Sequence, residues 1–222
     1  MGKTINAIFN FSGKRAMVTT VLVALFAAPA LTARANCADI QPTRPGEVYF
    51  MRGLANIFSL GLDAFAAEVS GLGIRNCVFN HSRWKVLVDE IIERDRRGQL
   101  SKPLMIIGHS LGANIAPAMA TSIGRAGIPV SYVVMLDPVE PTVVGRNVLE
   151  IHNYYLPKRK DTRVHAGSSF EGILENYNLR KVGGFDHFNV DENRPLRDLM
   201  EQRVFELSEA EAKAQLEAKE AE

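Results

Sequence analysis

The stretch PLMIIGHSLGANIAPAMA, Pro103–Ala120, decides the fold. Its first part, Leu104–Ile107, is an uninterrupted apolar run, which suits a strand buried on both faces. Gly108-His109-Ser110-Leu111-Gly112 follows, and small residues then continue at near-helical spacing. A serine between two glycines, where a strand turns into a helix, has a geometric reason. A nucleophilic serine must stand clear of the sheet on a very tight, strained turn. Side chains two residues to either side would collide there, so glycine fills both positions. The helix start behind Ser110 supplies N–H groups and a positive dipole end, which suit a developing oxyanion. The Leu111 N–H is the expected donor. Pro117 sits awkwardly in the second turn of that helix, where it is expected to kink the helix or remove a bond.

Outward from this stretch, strand and helix patterns alternate. The segments at 47–51, 74–79, 103–107, 130–136, 148–156 and 172–179 read as strands. Phe58, Leu62, Phe65, Ala66 and Val69 share one helical face, and Gly71 and Gly73 end that helix. Trp84, Leu87, Val88, Ile91 and Ile92 share another. Leu196, Leu199, Met200, Val204 and Leu207 share a third. This alternation predicts an α/β fold, with a mostly parallel six-stranded sheet flanked by helices. The domain is expected to run over 47–207. Residues 36–46, with Pro42, Pro45 and Gly46, read as a linker, and 208–222 as a charged helical tail.

The 222 residues suffice for one domain with a real core. The formal net charge of +1 leaves no basic field to hold a phosphate backbone, so nucleic acid is not an expected partner. No cluster has metal-ligand spacing, and no dinucleotide or P-loop fingerprint occurs, so no metal or cofactor is expected. Residues 1–35 read as a signal peptide. Lys3, Lys14 and Arg15 precede the apolar run Ala16–Leu31, and Ala33-Arg34-Ala35 is a small-x-small cleavage triplet. That run is short of the roughly 20 residues a membrane span needs, so no stable span is expected after cleavage. A periplasmic or secreted location follows. Both cysteines, Cys37 and Cys77, would survive cleavage. An oxidising compartment permits a bridge, but the alternative of a free Cys37 and a buried Cys77 stays open. A lipid anchor at Cys37 is disfavoured by Asn36, where such signals want a small apolar residue.

Serine alone is a poor nucleophile; it needs a base, and the base needs an orienting acid. Working groups in an open α/β sheet gather at the carboxyl ends of strands. Among the acids, Asp137 ends the fourth strand in "MLDP", and a carboxylate at that depth needs a partner to stay charged. A turn-forming aspartate before proline is its alternative reading. Asp161 follows the fifth strand inside the charged run "PKRKDTR". Asp186 reads as surface. Five histidines compete for the base. His109 lies inside the elbow and points the wrong way for its neighbour, and His152 falls mid-strand. His81 precedes the serine, His165 lies before the sixth strand and His187 after it. The second oxyanion donor is expected from the loop after the first strand, at the Leu54 N–H beside Gly53, with Arg52 as a structural ion-pair residue.

The elbow, the strand–loop–helix order and the Ser–Asp–His succession resemble the α/β-hydrolase superfamily. Within it the chain is similar to small lidless lipases, cutinase-like esterases and thioesterases, over roughly 47–207. The resemblance is specific at Ser110 and looser elsewhere. Such proteins usually have eight strands; two antiparallel opening strands are missing here or lie within 36–46. The resemblance places the base at His187, between the last strand and the final helix. It offers Asp161 at the commoner acid position, and Asp137 at the position pancreatic-type lipases use. Asp137 is preferred, with Asp161 in reserve.

The implied chemistry is hydrolysis of a carboxylic ester or thioester through Ser110, His187 and Asp137, with Leu54 and Leu111 N–H groups holding the oxyanion. The stretch between Asp137 and the next strand is too short for a lid, so an open site is expected. Leu54, Phe58, Leu111 and Val139 are candidates for an acyl groove. The expected partner is a small-molecule or lipid-like acyl ester. A non-catalytic exported binding protein on this scaffold, and acyl transfer to an acceptor other than water, are the alternatives.

Overall fold

The computed structural model describes residues 36–37, 40–54, 60–157 and 161–221. The expected signal peptide (1–35), Phe58 and Lys158–Lys160 lie outside the described residues.

Nine strands and four α-helices are present among the described residues. The strands are β1 (Asn36–Cys37), β2 (Glu47–Arg52), β3 (Arg75–Asn80), β4 (Leu104–His109), β5 (Tyr132–Leu136), β6 (Thr142–Val144), β7 (Glu150–Tyr155), β8 (Val164–Ala166) and β9 (Ile173–Asn178). The helices are α1 (Leu60–Gly71), α2 (Trp84–Arg96), α3 (Leu111–Arg125) and α4 (Arg194–Glu220). The main sheet has the order β1-β3-β2-β4-β5-β7-β9. Its last six strands are parallel, and β1 joins the edge antiparallel to β3. The fold is α/β, of the minimal α/β-hydrolase type. A separate pair, β6 and β8, was not legible in the sequence, because three residues per strand carry no periodicity.

The central strands β4 and β5 are buried along their whole length. Alternate residues feed two cores. Tyr49, Met51, Ile106 and Val133 pack with α2 and α3 on one face. Phe50, Ile107, Tyr132 and Val134 pack with α1 and α4 on the other. β2 and β4 are neighbours in the sheet, yet α1 and α3, which follow them, lie on opposite faces. A crevice therefore opens between their carboxyl ends, the topological switch point of an open sheet.

Two expectations need correcting. The described residues of 36–46 are not a free linker. β1 pairs with β3, Cys37 is bonded to Cys77, and the Thr43 and Arg44 amides both donate to the Gly73 carbonyl. One of the two opening strands is thus present, shortened to two residues. The boundary at 207/208 falls inside α4, where Ser208 is buried and its hydroxyl donates to the Pro45 carbonyl at 2.6 Å. At Pro117 the expected loss of a helix bond is met while α3 continues on both sides of it. Proline lacks an N–H, so only the bond to Ala113 is forgone.

Candidate active site

Ser110 stands at the joint between β4 and α3 with φ 57° and ψ −119°. A non-glycine residue rarely adopts such backbone, and its cost is of order 1–3 kcal/mol, borne by the surrounding structure. The neighbouring glycines explain how. A Cβ at Gly112 would lie 1.8 Å from the Met51 carbonyl oxygen, and one at Gly108 would lie 2.3 Å from the Gly112 oxygen. A Cβ at Gly53 would come within 2.9 Å of the Ser110 Cβ. The elbow is thus wedged between β4, the start of α3 and the end of β2, and only glycine fits at the contacts.

The structure brings Ser110, His187 and Asp137 together. Ser110 Oγ lies 3.0 Å from His187 Nε2, and His187 Nδ1 lies 2.6 Å from Asp137 Oδ2. With the proton on Nδ1 donated to Asp137, Nε2 is free to accept from the serine hydroxyl. Asp137 is fully buried and His187 partly exposed, so the row runs from the interior to the surface. Asp137 has φ 43°, a second strained residue at a strand end. Its Oδ1 accepts from the Leu156 amide at 3.1 Å, which leaves Oδ2 for the imidazole. Asn114, one turn into α3, fixes the loop after Asp137. Its Oδ1 accepts from the Val139 amide, and its Nδ2 donates to the Glu140 carbonyl.

The other candidates lie elsewhere. Asp161 is exposed and bound bidentately by Arg163, whose hydrogen bonds pull its carboxyl down to about 2. His165 is exposed beside it. Half-buried His152 lies 3.1 Å from the Tyr132 hydroxyl, and burial pushes its pKa down. Asp186 braces its own turn by accepting from the Phe188 and Asn189 amides. Arg52 forms an ion pair with Asp63.

Two histidines have roles that sequence patterns did not disclose. His109 is fully buried, and its Nε2 lies 2.8 Å from the His187 carbonyl oxygen, tying the His187 backbone to β4. His81 Nδ1 lies 3.1 Å from the Gly53 carbonyl oxygen. Both contacts join residues distant in sequence through main-chain oxygens, which leave no mark on residue type.

A cavity of about 310 Å³ opens at the nucleophile. Leu54, Leu111, Val139 and Phe188 give it apolar walls, and Ser110 and His187 lie on its floor. Leu54 and Phe188 are 66% and 60% exposed, so the rim is open and oily. The Leu111 amide begins α3, where helix N–H groups lack partners within the helix. Among the described residues, no group of three or more acidic, histidine or cysteine side chains could hold a metal ion.

Residues 66–175 match the family model described as the thioesterase domain, an α/β-hydrolase-type family. The match spans Ser110 and Asp137 and ends before His187. It supports hydrolase chemistry on an ester or thioester. No curated protein matches the chain.

Proposed function

From a chain with the α/β-hydrolase fold and similarity to the thioesterase domain over 66–175, we propose an exported serine hydrolase that cleaves carboxylic ester or thioester bonds through an acyl-enzyme. One observation carries this reading: the unbroken row from Ser110 Oγ through His187 to buried Asp137, at 3.0 and 2.6 Å.

Ser110 Oγ attacks the acyl carbonyl carbon while His187 Nε2 takes the hydroxyl proton. Asp137 holds the imidazole in the tautomer that leaves Nε2 unprotonated, and stabilises the imidazolium once formed. The carbonyl oxygen becomes an oxyanion, met by the Leu111 and Leu54 N–H groups. His187 then gives its proton to the departing alcohol or thiol, and the acyl group stays on Ser110. Water repeats the sequence: His187 deprotonates it, it attacks the acyl-enzyme, and the carboxylic acid leaves as Ser110 regains its proton. The apolar walls favour a modest acyl chain, and the open rim leaves room for a varied leaving group. Export is supported by the composition of residues 1–35 and by the Cys37–Cys77 bridge, which suits an oxidising compartment.

A chain-length series of chromogenic esters and matched thioesters tests this. The wild type is expected to turn over short to medium acyl chains. Ser110→Ala should lose ~10³-fold or more of kcat, and Asp137→Asn up to ~10⁴-fold. Wild-type turnover in Ser110→Ala overturns the proposal.

A further inference from the structure

We propose that His81 is a positioning residue for the oxyanion site: it fixes the Gly53–Leu54 peptide so that the Leu54 N–H is presented to the developing charge. This rests on the serine-hydrolase reading above and adds to it a residue outside the Ser110–His187–Asp137 row.

The register of the sheet starts the argument. β2 and β3 run parallel with Arg52 opposite Asn80, so the loops after them leave side by side. The Asn80 side chain accepts from the Ser82 amide and holds the turn His81–Arg83 in place. His81 Nδ1 then reaches the Gly53 carbonyl oxygen at 3.1 Å. A carbonyl only accepts, so Nδ1 is the protonated ring nitrogen in this contact.

The Gly53 oxygen and the Leu54 N–H belong to one planar trans peptide and point in opposite directions. With its oxygen turned to His81, the peptide turns its N–H away from His81. Gly53 itself presses on the nucleophile, since a Cβ there would lie 2.9 Å from Ser110 Cβ and 3.3 Å from its Oγ. Leu54 lines the cavity with Ser110 and Leu111. Just before this peptide, the Arg52 side chain is tied to Asp63. The His81 contact restrains the peptide's own plane. Oxyanion donors act by being oriented before charge develops, so holding the plane lowers the barrier and leaves substrate affinity nearly untouched.

The test compares wild type, His81→Ala, His81→Asn and His81→Asp on a chromogenic short-chain ester, with Ser110→Ala alongside. The asparagine Nδ2 occupies the place of the imidazole Nδ1 and still donates. Aspartate has the same shape and cannot donate when ionised. Loss of one whole donor costs ~10²–10³ in kcat, so loosening it in His81→Ala and His81→Asp should cost ~10-fold or more, with KM changed less than ~3-fold. His81→Asn should recover most of the loss. Inactivation by a fluorophosphonate, which also builds charge on an oxygen in that site, should slow in parallel. A packing role would make Asn and Asp alike, and that result overturns the inference, as does wild-type kcat in both His81→Ala and His81→Asp. If Ser110→Ala loses activity while these variants keep it, this inference alone fails. If Ser110→Ala is fully active, the hydrolase reading fails with it.

Discussion

Asp191 is a buried carboxylate within 4.0 Å of His109 Nδ1, behind the residue that anchors the His187 backbone. Burial pushes its carboxyl up to about 6, against the pull of the Asp191, Leu62 and Gly61 amides and with the help of Glu192. No hydrogen bond of good geometry reaches either oxygen among the described residues. The native state therefore holds its proton to higher pH than the unfolded chain does. Stability from this group falls as pH rises from about 4 to about 6, and the penalty is complete above that. Two pKa units correspond to roughly 2–3 kcal/mol as an upper figure. Asp191→Asn should thus gain on wild type as pH rises across this window, measured by urea unfolding at pH 4 and pH 7. A constant difference between the two proteins contradicts this. At the same scale, Ser110 could be named from the sequence, because an elbow demands glycines, while His187 and Asp137 are picked from several candidates by what the hydrolase resemblance implies. The roles of Asp191, His109 and the Leu156 amide could not be named. They act through burial and main-chain contacts that only three dimensions create.

The elements that matter most are β2, β4 and the start of α3. Gly112 lets α3 begin against the β2 backbone, with no room for a Cβ beside the Met51 oxygen. In a free helix alanine is preferred over glycine by up to about 1 kcal/mol. Here the clash should reverse that preference. Gly112→Ala is expected to destabilise by about 1–3 kcal/mol and to move the end of β2, with loss of kcat as Gly53 and Leu54 shift. Denaturant midpoints and kcat measured together check it; a stabilised, fully active variant contradicts it. Of the six parallel strands, β2, β4 and β5 were the most legible in sequence, because strands covered on both faces read as apolar runs between turn residues, whereas the edge strand β9 buries no residue fully and gives a weaker pattern. β1, β6 and β8 were not legible, being two or three residues long. The lost bond at Pro117 was legible too; that α3 runs on past it follows from the burial of its own Ala113, Ala116 and Ala120 face against the sheet.

For the molecule as a whole, the amino-terminal edge of the sheet depends on a cross-link. β1 offers two residues of pairing to β3, and the bond between Cys37 and Cys77 closes 40 residues of chain. In the loop-entropy model such a closure contributes about 3–4 kcal/mol, with measured values commonly lower. The Cys37→Ser/Cys77→Ser double variant should lose stability in that range by denaturant unfolding, and an unchanged midpoint would show the bridge to be dispensable. The far end is set by α4, which buries Leu196, Met200, Val204 and Ser208 and then runs on to Glu220 with exposed charge. Its apolar spacing and its charged helical continuation were both legible, but the burial of Ser208 against the Pro45 carbonyl was not, because that contact is to a main-chain oxygen.

The central claim is that the hydroxyl at 110 becomes acylated with help from its two neighbours. The most direct measurement is intact-protein and peptide mass spectrometry after treatment with a fluorophosphonate probe. One adduct is predicted, on the peptide containing Ser110, absent from Ser110→Ala and formed far more slowly in His187→Ala. Equal labelling of wild type and Ser110→Ala, or an adduct on another residue at the wild-type rate, would contradict it.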